Sequence, residues 1–280
     1  MNSDNANDGI RSLPDGHTAP QRLQRVGVAS VGKRSARSKS GSQPERILQA
    51  DDLGGPVIPR SGWSIGTLVH KQIRDAILSV KLMPNTALSE NELSQLLNVS
   101  RQPVREALQK LATEGLVTIV PQVRTLVAPM DIERIREAVF MREAVECAAL
   151  RLLPKALPLS EIRRLRQIVS NHRKGANTRD QEMTLTSDDD FHRTLLEMAG
   201  MPGLWRYVLE AREIQRRVRV FAHSQFDSAQ RAAEQHDRVI EELAAGRITS
   251  ANEALQEHIR MNMVFANDIA LQFPAYFSNS

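Results

Sequence analysis

Two groups of residues in this 280-residue chain have types and spacing suited to chemistry. The first is the run Ser100-Arg101-Gln102-Pro103-Val104-Arg105-Glu106-Ala107-Leu108. Ser100 suits a helix N-cap, its side-chain oxygen accepting a backbone N–H that the first turn leaves unpaired. Val104, Leu108 and Leu111 recur at helical spacing and define a buried stripe. Arg101 and Arg105, one turn apart, share a different and exposed face. Two guanidinium forks at a helix start suit guanine edges and phosphates in a DNA major groove. Spacing alone leaves open that they are solvated helix charges.

The second group is Asp188, His192, His236 and His258. Asp188 and His192 are four apart, so on a helix they share a face and can share one ion. His236 and His258 fall in the last two helical segments, with Gly246 between them to permit an antiparallel return. Three imidazoles and a carboxylate suit a divalent ion of zinc, nickel, manganese or iron. Open positions on such an ion accept a carboxylate or hydroxyl. The alternative is a surface ion pair with two ordinary helix histidines. Asp189 and Asp190 fall on other faces and read as solvated or capping residues. His172 and His223 read as structural or surface residues. A catalytic metal with bound water is the competing enzyme reading. No motif for a nucleophile, a general base or a phosphate loop accompanies it, and it leaves the 100–108 run unexplained.

The pattern of elements must position these groups. Residues 1–60 are rich in Ser, Gly, Asn, Pro and charge and read as a disordered tail. Within it Arg22, Arg25, Lys33, Arg34, Arg37 and Lys39 have no acidic residue between them. That stretch is a solvated tail or a sequence-blind DNA tether. From Ser64, Ile65, Leu68, Val69, Ile73, Ile77 and Leu78 follow helical spacing. Pro84 and Asn85 break the chain, Ser89 caps a short helix, and Asn98-Val99 turns into the helix begun at Ser100. Gly115 ends that helix. Residues 117–120 and 125–128 are β-rich around Pro121-Gln122-Val123-Arg124 and read as a hairpin. Asp131 caps a helix over 132–153, and Ser160 caps one running towards Lys174, with a loop at 175–180. Further helices are expected at 182–199, 203–221, 229–245 and 248–271.

The expected fold class is therefore mainly α. An N-terminal winged helix-turn-helix (61–130) is followed by an all-α bundle (131–273) and a C-terminal tail (274–280). Aromatic residues make up only 4% of the chain, so the cores should be aliphatic. The single cysteine, Cys147, excludes an intrachain disulfide. No apolar run is long enough to span a bilayer, no secretory core is present, and Asp4, Asp8 and Asp15 argue against a transit peptide. A cytoplasmic location is the expectation. The net charge of +4 is compatible with nucleic acid but is weak evidence by itself.

Residues 64–128 resemble the winged helix of GntR-type transcription regulators. The Ser-Arg-x-Pro-Val-Arg-Glu-Ala-Leu run, followed by Leu111 and Glu114-Gly115-Leu116-Val117, carries that resemblance. The helical part resembles the FCD effector domain of the FadR-like branch, through Asp188-x-x-Phe191-His192, Glu234-Gln235-His236 and His258. The resemblance implies DNA contact at Arg101, Arg105 and the wing, with Ser100, Gln102 and Arg124 as further candidates. It implies a metal held by Asp188, His192, His236 and His258. Arg142 would pair with an acidic effector, or else only with Glu146 four residues on; Arg216 and Arg217 are weaker candidates. The chain departs from the family at Val80, at Asn85 and at the wing tip, read as Arg124, where glycine is usual. The implied protein is a homodimer on a pseudo-palindromic double-stranded DNA operator, controlled by a small organic acid or sugar acid. Its alternative is a regulator whose helical domain only dimerises, with a structural metal or none.

Overall fold

The computed structural model describes residues 48–225 and 227–278, with the side chain of Gln225 left out. The first compact layer is a winged helix. It comprises α1 (Ala50–Leu53), α2 (Ile65–Leu78), α3 (Glu90–Leu96), α4 (Arg101–Thr113), β1 (Val117–Val120) and β2 (Arg124–Val127). Ser64 and Ser89 cap α2 and α3, accepting from the backbone N–H of Thr67 and Glu92. The strands pair antiparallel, from Val117 opposite Val127 to Val120 opposite Arg124. Val69, Ile73, Ile77, Leu93, Leu97, Val104, Leu108 and Leu111 form the core with Val117 and Val127. Each such aliphatic side chain contributes about 2 kcal/mol when fully buried.

Several expectations need correction. The winged helix begins before residue 61, because Leu48 and Leu53 are buried in its core and Val57 packs against it. The assigned tail is thus structured over 48–60, and residues 1–47, including the basic stretch, lie outside the described residues. Ser100 is the N-cap of α4, but its side chain makes no cap hydrogen bond among the described residues. Arg124 is not the wing tip. It is the first residue of β2, and the positive φ of the turn falls on Gln122 (60°). The family's other two glycine positions do need a left-handed backbone: Val80 has φ 58° and Asn85 has φ 67°. Asn tolerates that conformation, whereas a β-branched valine there stores about 1–3 kcal/mol of strain.

Six helices form the second layer: α5 (Ile132–Leu150), α6 (Leu159–Thr178), α7 (Gln181–Met198), α8 (Trp205–Gln225), α9 (Ser228–Ala244) and α10 (Ile248–Gln272). Asp131 caps α5, accepting from the N–H groups of Glu133 and Arg134. Helix α6 packs against α7 and α9, α10 against α9 and α5, and α5 against α8. Leu150, Leu165, Val169, Phe191, Leu195, Val239, Ile240, Leu255 and Ile259 fill the centre. Helix α5 stops at Leu150 rather than 153. Pro158, not Ser160, occupies the N-cap of α6. That helix runs through the expected 175–180 loop as far as Thr178. Gly175 is there for close approach, since a Cβ would lie 2.7 Å from Thr184 Oγ1 and 2.8 Å from Thr184 N.

The end of the chain closes the junction between the layers. Residues 274–278 are not a free tail. The Met130 N–H donates to Tyr276 O at 2.8 Å, the Ser278 N–H donates to Met130 O at 2.9 Å, and Phe277 is buried. Asn85 Nδ2 donates to Ala275 O at 2.5 Å, so the left-handed turn after Pro84 is tied to the 3-10 turn at Pro274–Tyr276 of the same segment. Residues 279–280 lie outside the described residues.

Candidate functional site

The exposed site is the first turns of α4. Arg101, Gln102 and Arg105 all reach solvent there, because Val104, Ala107, Leu108 and Leu111 take the buried face. Arg105 is paired with Glu90 of α3: Nη2 donates to Oε2 at 2.9 Å, and Nε lies 3.1 and 3.2 Å from the two carboxylate oxygens. The bonds from Arg105 hold the Glu90 carboxyl below its usual range. Gln102 Nε2 donates to Glu106 Oε1 at 2.9 Å, so Glu106 is occupied with a neighbour rather than an arginine. Arg124 is exposed at the end of the hairpin next to the turn. The structure thus presents two guanidiniums, an amide and a wing cation to solvent.

The buried site is built by three helices of the second layer. Asp188 and His192 come from α7, His236 from α9 and His258 from α10, and all four are buried. One ligand atom from each lies within 4.8 Å of the others. His258 Nε2 is 3.2 Å from His192 Nε2 and 3.1 Å from His236 Nε2. His236 Nε2 is 3.4 Å from Asp188 Oδ1. Phe191 stacks on the His236 ring with centroids 3.9 Å apart, which fixes its plane.

The outer nitrogens define the tautomers. His192 Nδ1 lies 2.5 Å from Glu146 Oε2, and His258 Nδ1 lies 3.0 Å from Gln235 Oε1. A carboxylate and an amide oxygen only accept, so both Nδ1 atoms carry the proton. The Nε2 lone pairs of His192 and His258 therefore turn into the cluster, where Arg142 Nη2 lies 3.3 Å from His192 Nε2 and His236 Nε2 3.1 Å from His258 Nε2. Burial pushes His192, His236 and His258 below their usual range, which favours the neutral, ligating form of each ring. A cation could be shared by these inward-facing nitrogens. The donor set and its convergence fit a divalent ion.

The carboxylate is oriented from behind. Arg212 and Arg219 of α8 both donate to Asp188 Oδ2, Arg219 at 2.6 Å. That leaves Oδ1 turned towards the histidines. Burial alone would raise Asp188, but the two guanidinium charges hold it well below its usual range. The same arginines engage Asp189, Arg212 Nε at 2.6 Å and Arg219 Nη1 at 3.3 Å. Asp189 is thus part of the site and not a solvated neighbour.

Residues 67–127 match the bacterial regulatory proteins of the gntR family, and residues 137–261 match the FCD domain. An HTH-type transcriptional regulator in an unstable DNA locus of Streptomyces ambofaciens is 34% identical over 193 residues, 69% of this chain and 80% of that one. The chain belongs to the GntR family of transcription regulators. The transcriptional repressor RspR of Escherichia coli (strain K12) is 29% identical across 69% of this chain and 84% of its own. The solved structure of E. coli McbR/YncC has the same fold, with a TM-score of 0.55 at 17% identity, over 74% of this chain and 99% of that one. The matches are to DNA-binding regulators, not to enzymes.

In this GntR regulator Arg142 reaches the histidine cluster but is not free. Its Nε donates to Glu146 Oε1 at 2.8 Å and its Nη1 to Gln215 Oε1 at 2.9 Å, while Nη2 lies 3.3 Å from His192 Nε2. It is wholly buried, and burial lowers it to about 10. Its clearest role is to hold Glu146, which in turn holds His192. Arg217 does not face the pocket either; it donates to the carbonyls of Ala128 and Pro129 at the domain junction. Arg216 pairs with Glu213. His172 is fully buried, 3.9 Å from Asp188 Oδ1 and edge-on to His236. Its ring belongs to the cluster's wall.

Sequence reasoning missed Arg212, Gln215 and Arg219. Their signal was available: the three lie at i, i+3 and i+7, on a face of α8 that also carries the buried Val208, Ala211 and Ala222. A polar stripe at the spacing of a core face marks a buried network.

Proposed function

We propose that the operator affinity of this regulator is set by a small carboxylate metabolite held at a divalent metal in the helical domain. The observation that carries the reading is the convergence of four buried ligand atoms, from Asp188, His192, His236 and His258, within 4.8 Å of one another. Asp188 Oδ1 and the Nε2 atoms of His192, His236 and His258 would hold the ion, zinc, nickel, manganese or iron. When bound, the ion supplies open coordination positions for an acid or hydroxyl oxygen.

Charge supports an anionic effector. Arg142, Arg212 and Arg219 balance Glu146, Asp188 and Asp189 around the site. A divalent ion therefore adds positive charge that the protein does not neutralise, and an organic acid or sugar acid supplies the missing anion. Helix α8 links this site to DNA reading. It carries Arg212 inward and Glu213 outward, and Glu213 Oε2 accepts from Arg74 of the winged helix at 3.1 Å. Arg74 also donates to Glu114 at the end of α4 at 2.8 Å.

Acting as a homodimer in the cytoplasm, the protein would place two α4 helices on a pseudo-palindromic operator. Ser100, Arg101, Gln102 and Arg105 would face the major groove, and Arg124 a phosphate or the minor groove. Effector binding changes operator affinity only through unequal affinity for the two arrangements of the winged helices. The test is fluorescence anisotropy on the chain's own upstream DNA at fixed salt, with and without candidate acids. Chelation and His192→Ala should each remove the acid response and lower metal content while leaving the winged helix folded. An acid response that survives both would rule out this site.

A further inference from the structure

A small cleft adjoins the cluster, with Asp188, Arg219 and His258 in its lining. The same lining includes His223 of α8 and Ser228 and Arg231 of α9. Ser228 is 3% exposed, yet its Oγ has no hydrogen-bond partner among the described residues. The Nδ1 of His223 is likewise enclosed and unpartnered. A buried hydroxyl and imidazole without partners cost about 1–3 kcal/mol each unless something fills the space between them. Arg231 forms no ion pair or hydrogen bond among the described residues, although it lines the same cleft. Arg219, in the same lining, is by contrast engaged with Asp188 and Asp189.

We infer that His223, Ser228 and Arg231 form a second anion subsite, so that the effector is an unbranched dicarboxylate with one end at the metal and the other at Arg231. This rests on the metal-and-carboxylate reading above. Gln235, bonded to His258, lies one helical turn from Arg231, about 6 Å along the axis, a span matched by a diacid of about four to six carbons. The cleft is small, with a volume of about 30 Å³. A thin chain therefore needs the least rearrangement, and a ring or branched acid the most. The guanidinium of Arg231 supplies a fork for the distal carboxylate, with the Ser228 hydroxyl donating to the same group. The His223 ring lies beside them, and burial lowers it to about 4, so it stays neutral at pH 7.

The experiment is calorimetric titration of zinc-loaded full-length protein with glutarate and valerate, acids of equal carbon number that differ only in the second carboxylate. Glutarate should bind tighter by about tenfold or more, the scale of one charge-assisted hydrogen bond. Arg231→Gln should bring the two acids within about twofold of each other while zinc content stays at the wild-type level; Arg231→Lys should restore part of the preference. Ser228→Ala should reduce it without affecting valerate. Equal affinity of the wild type for both acids overturns the subsite and leaves the metal reading standing. So does a glutarate preference that persists in Arg231→Gln. If neither acid binds the zinc-loaded protein, the effector reading and the subsite fall together.

Discussion

Arg105 and Arg212 are both arginines held by a carboxylate, and they belong to opposite kinds of site. The Arg105–Glu90 pair is exposed, with the guanidinium side chain 54% accessible. Arg212 is 1% accessible and meets both Asp188 and Asp189. Water screens the first pair, so it contributes little to the fold. The fork can leave Glu90 for a base edge at little loss. The second pair has no water to replace a lost partner, so it is part of the architecture before any ligand arrives. Exposed charge is available for recognition because it contributes little to the fold. Buried charge sets the geometry of a site because its disruption is expensive.

The largest expected effect breaks the buried side of this contrast. Arg212→Met leaves Asp188 and Asp189 short of a guanidinium and should destabilise the chain by about 3–5 kcal/mol, read from chemical denaturation. A loss below about 1 kcal/mol would mean that the buried network is not the rigid element described here. Next comes the exposed side. Arg105→Ala should weaken specific operator binding by about 1–3 kcal/mol, the worth of one bidentate base contact. Its denaturation midpoint should stay close to wild type, and a variant that binds the operator like wild type would falsify the assignment of Arg105 as a base-reading residue. The smallest effect separates two serines that look alike in sequence. Ser64→Ala removes a cap bond of 3.1 Å to the Thr67 N–H and should cost about 1 kcal/mol. Ser100→Ala removes no such bond and should cost a few tenths at most; equal losses in the two variants would restore Ser100 as a side-chain cap.

The legible parts of this molecule were those that repeat locally. The spacing of Ile73, Ile77, Val104, Leu108 and Leu111 marked helices α2 and α4, because an amphipathic helix writes its buried face into its own period. The cluster of Asp188, His192, His236 and His258 was readable because Asp188 and His192 share one turn and a family motif marks the other two. Less legible were the ends. Residues 48–60 and 274–278 lack helical periodicity, and they are ordered by a few buried anchors, Leu48, Leu53 and Phe277. The wing tip was misplaced by two residues, since proline and valine flank Gln122 and give no side-chain sign of its positive φ.

By itself, then, the sequence determined the helix faces, the winged helix with its exposed arginines, the absence of an intrachain disulfide and the identity of four converging side chains. Tertiary structure alone decided which partners those groups have. It set Glu146 behind His192, brought Arg212 and Arg219 from α8 onto Asp188 of α7, turned Arg142 towards Glu146 and Gln215, and drew Arg217 to the Ala128 carbonyl. The physical reason is range. Helical period and capping depend on residues within a turn of one another, whereas the pairing of buried charges depends on how helices distant in sequence are packed and how far water is excluded between them.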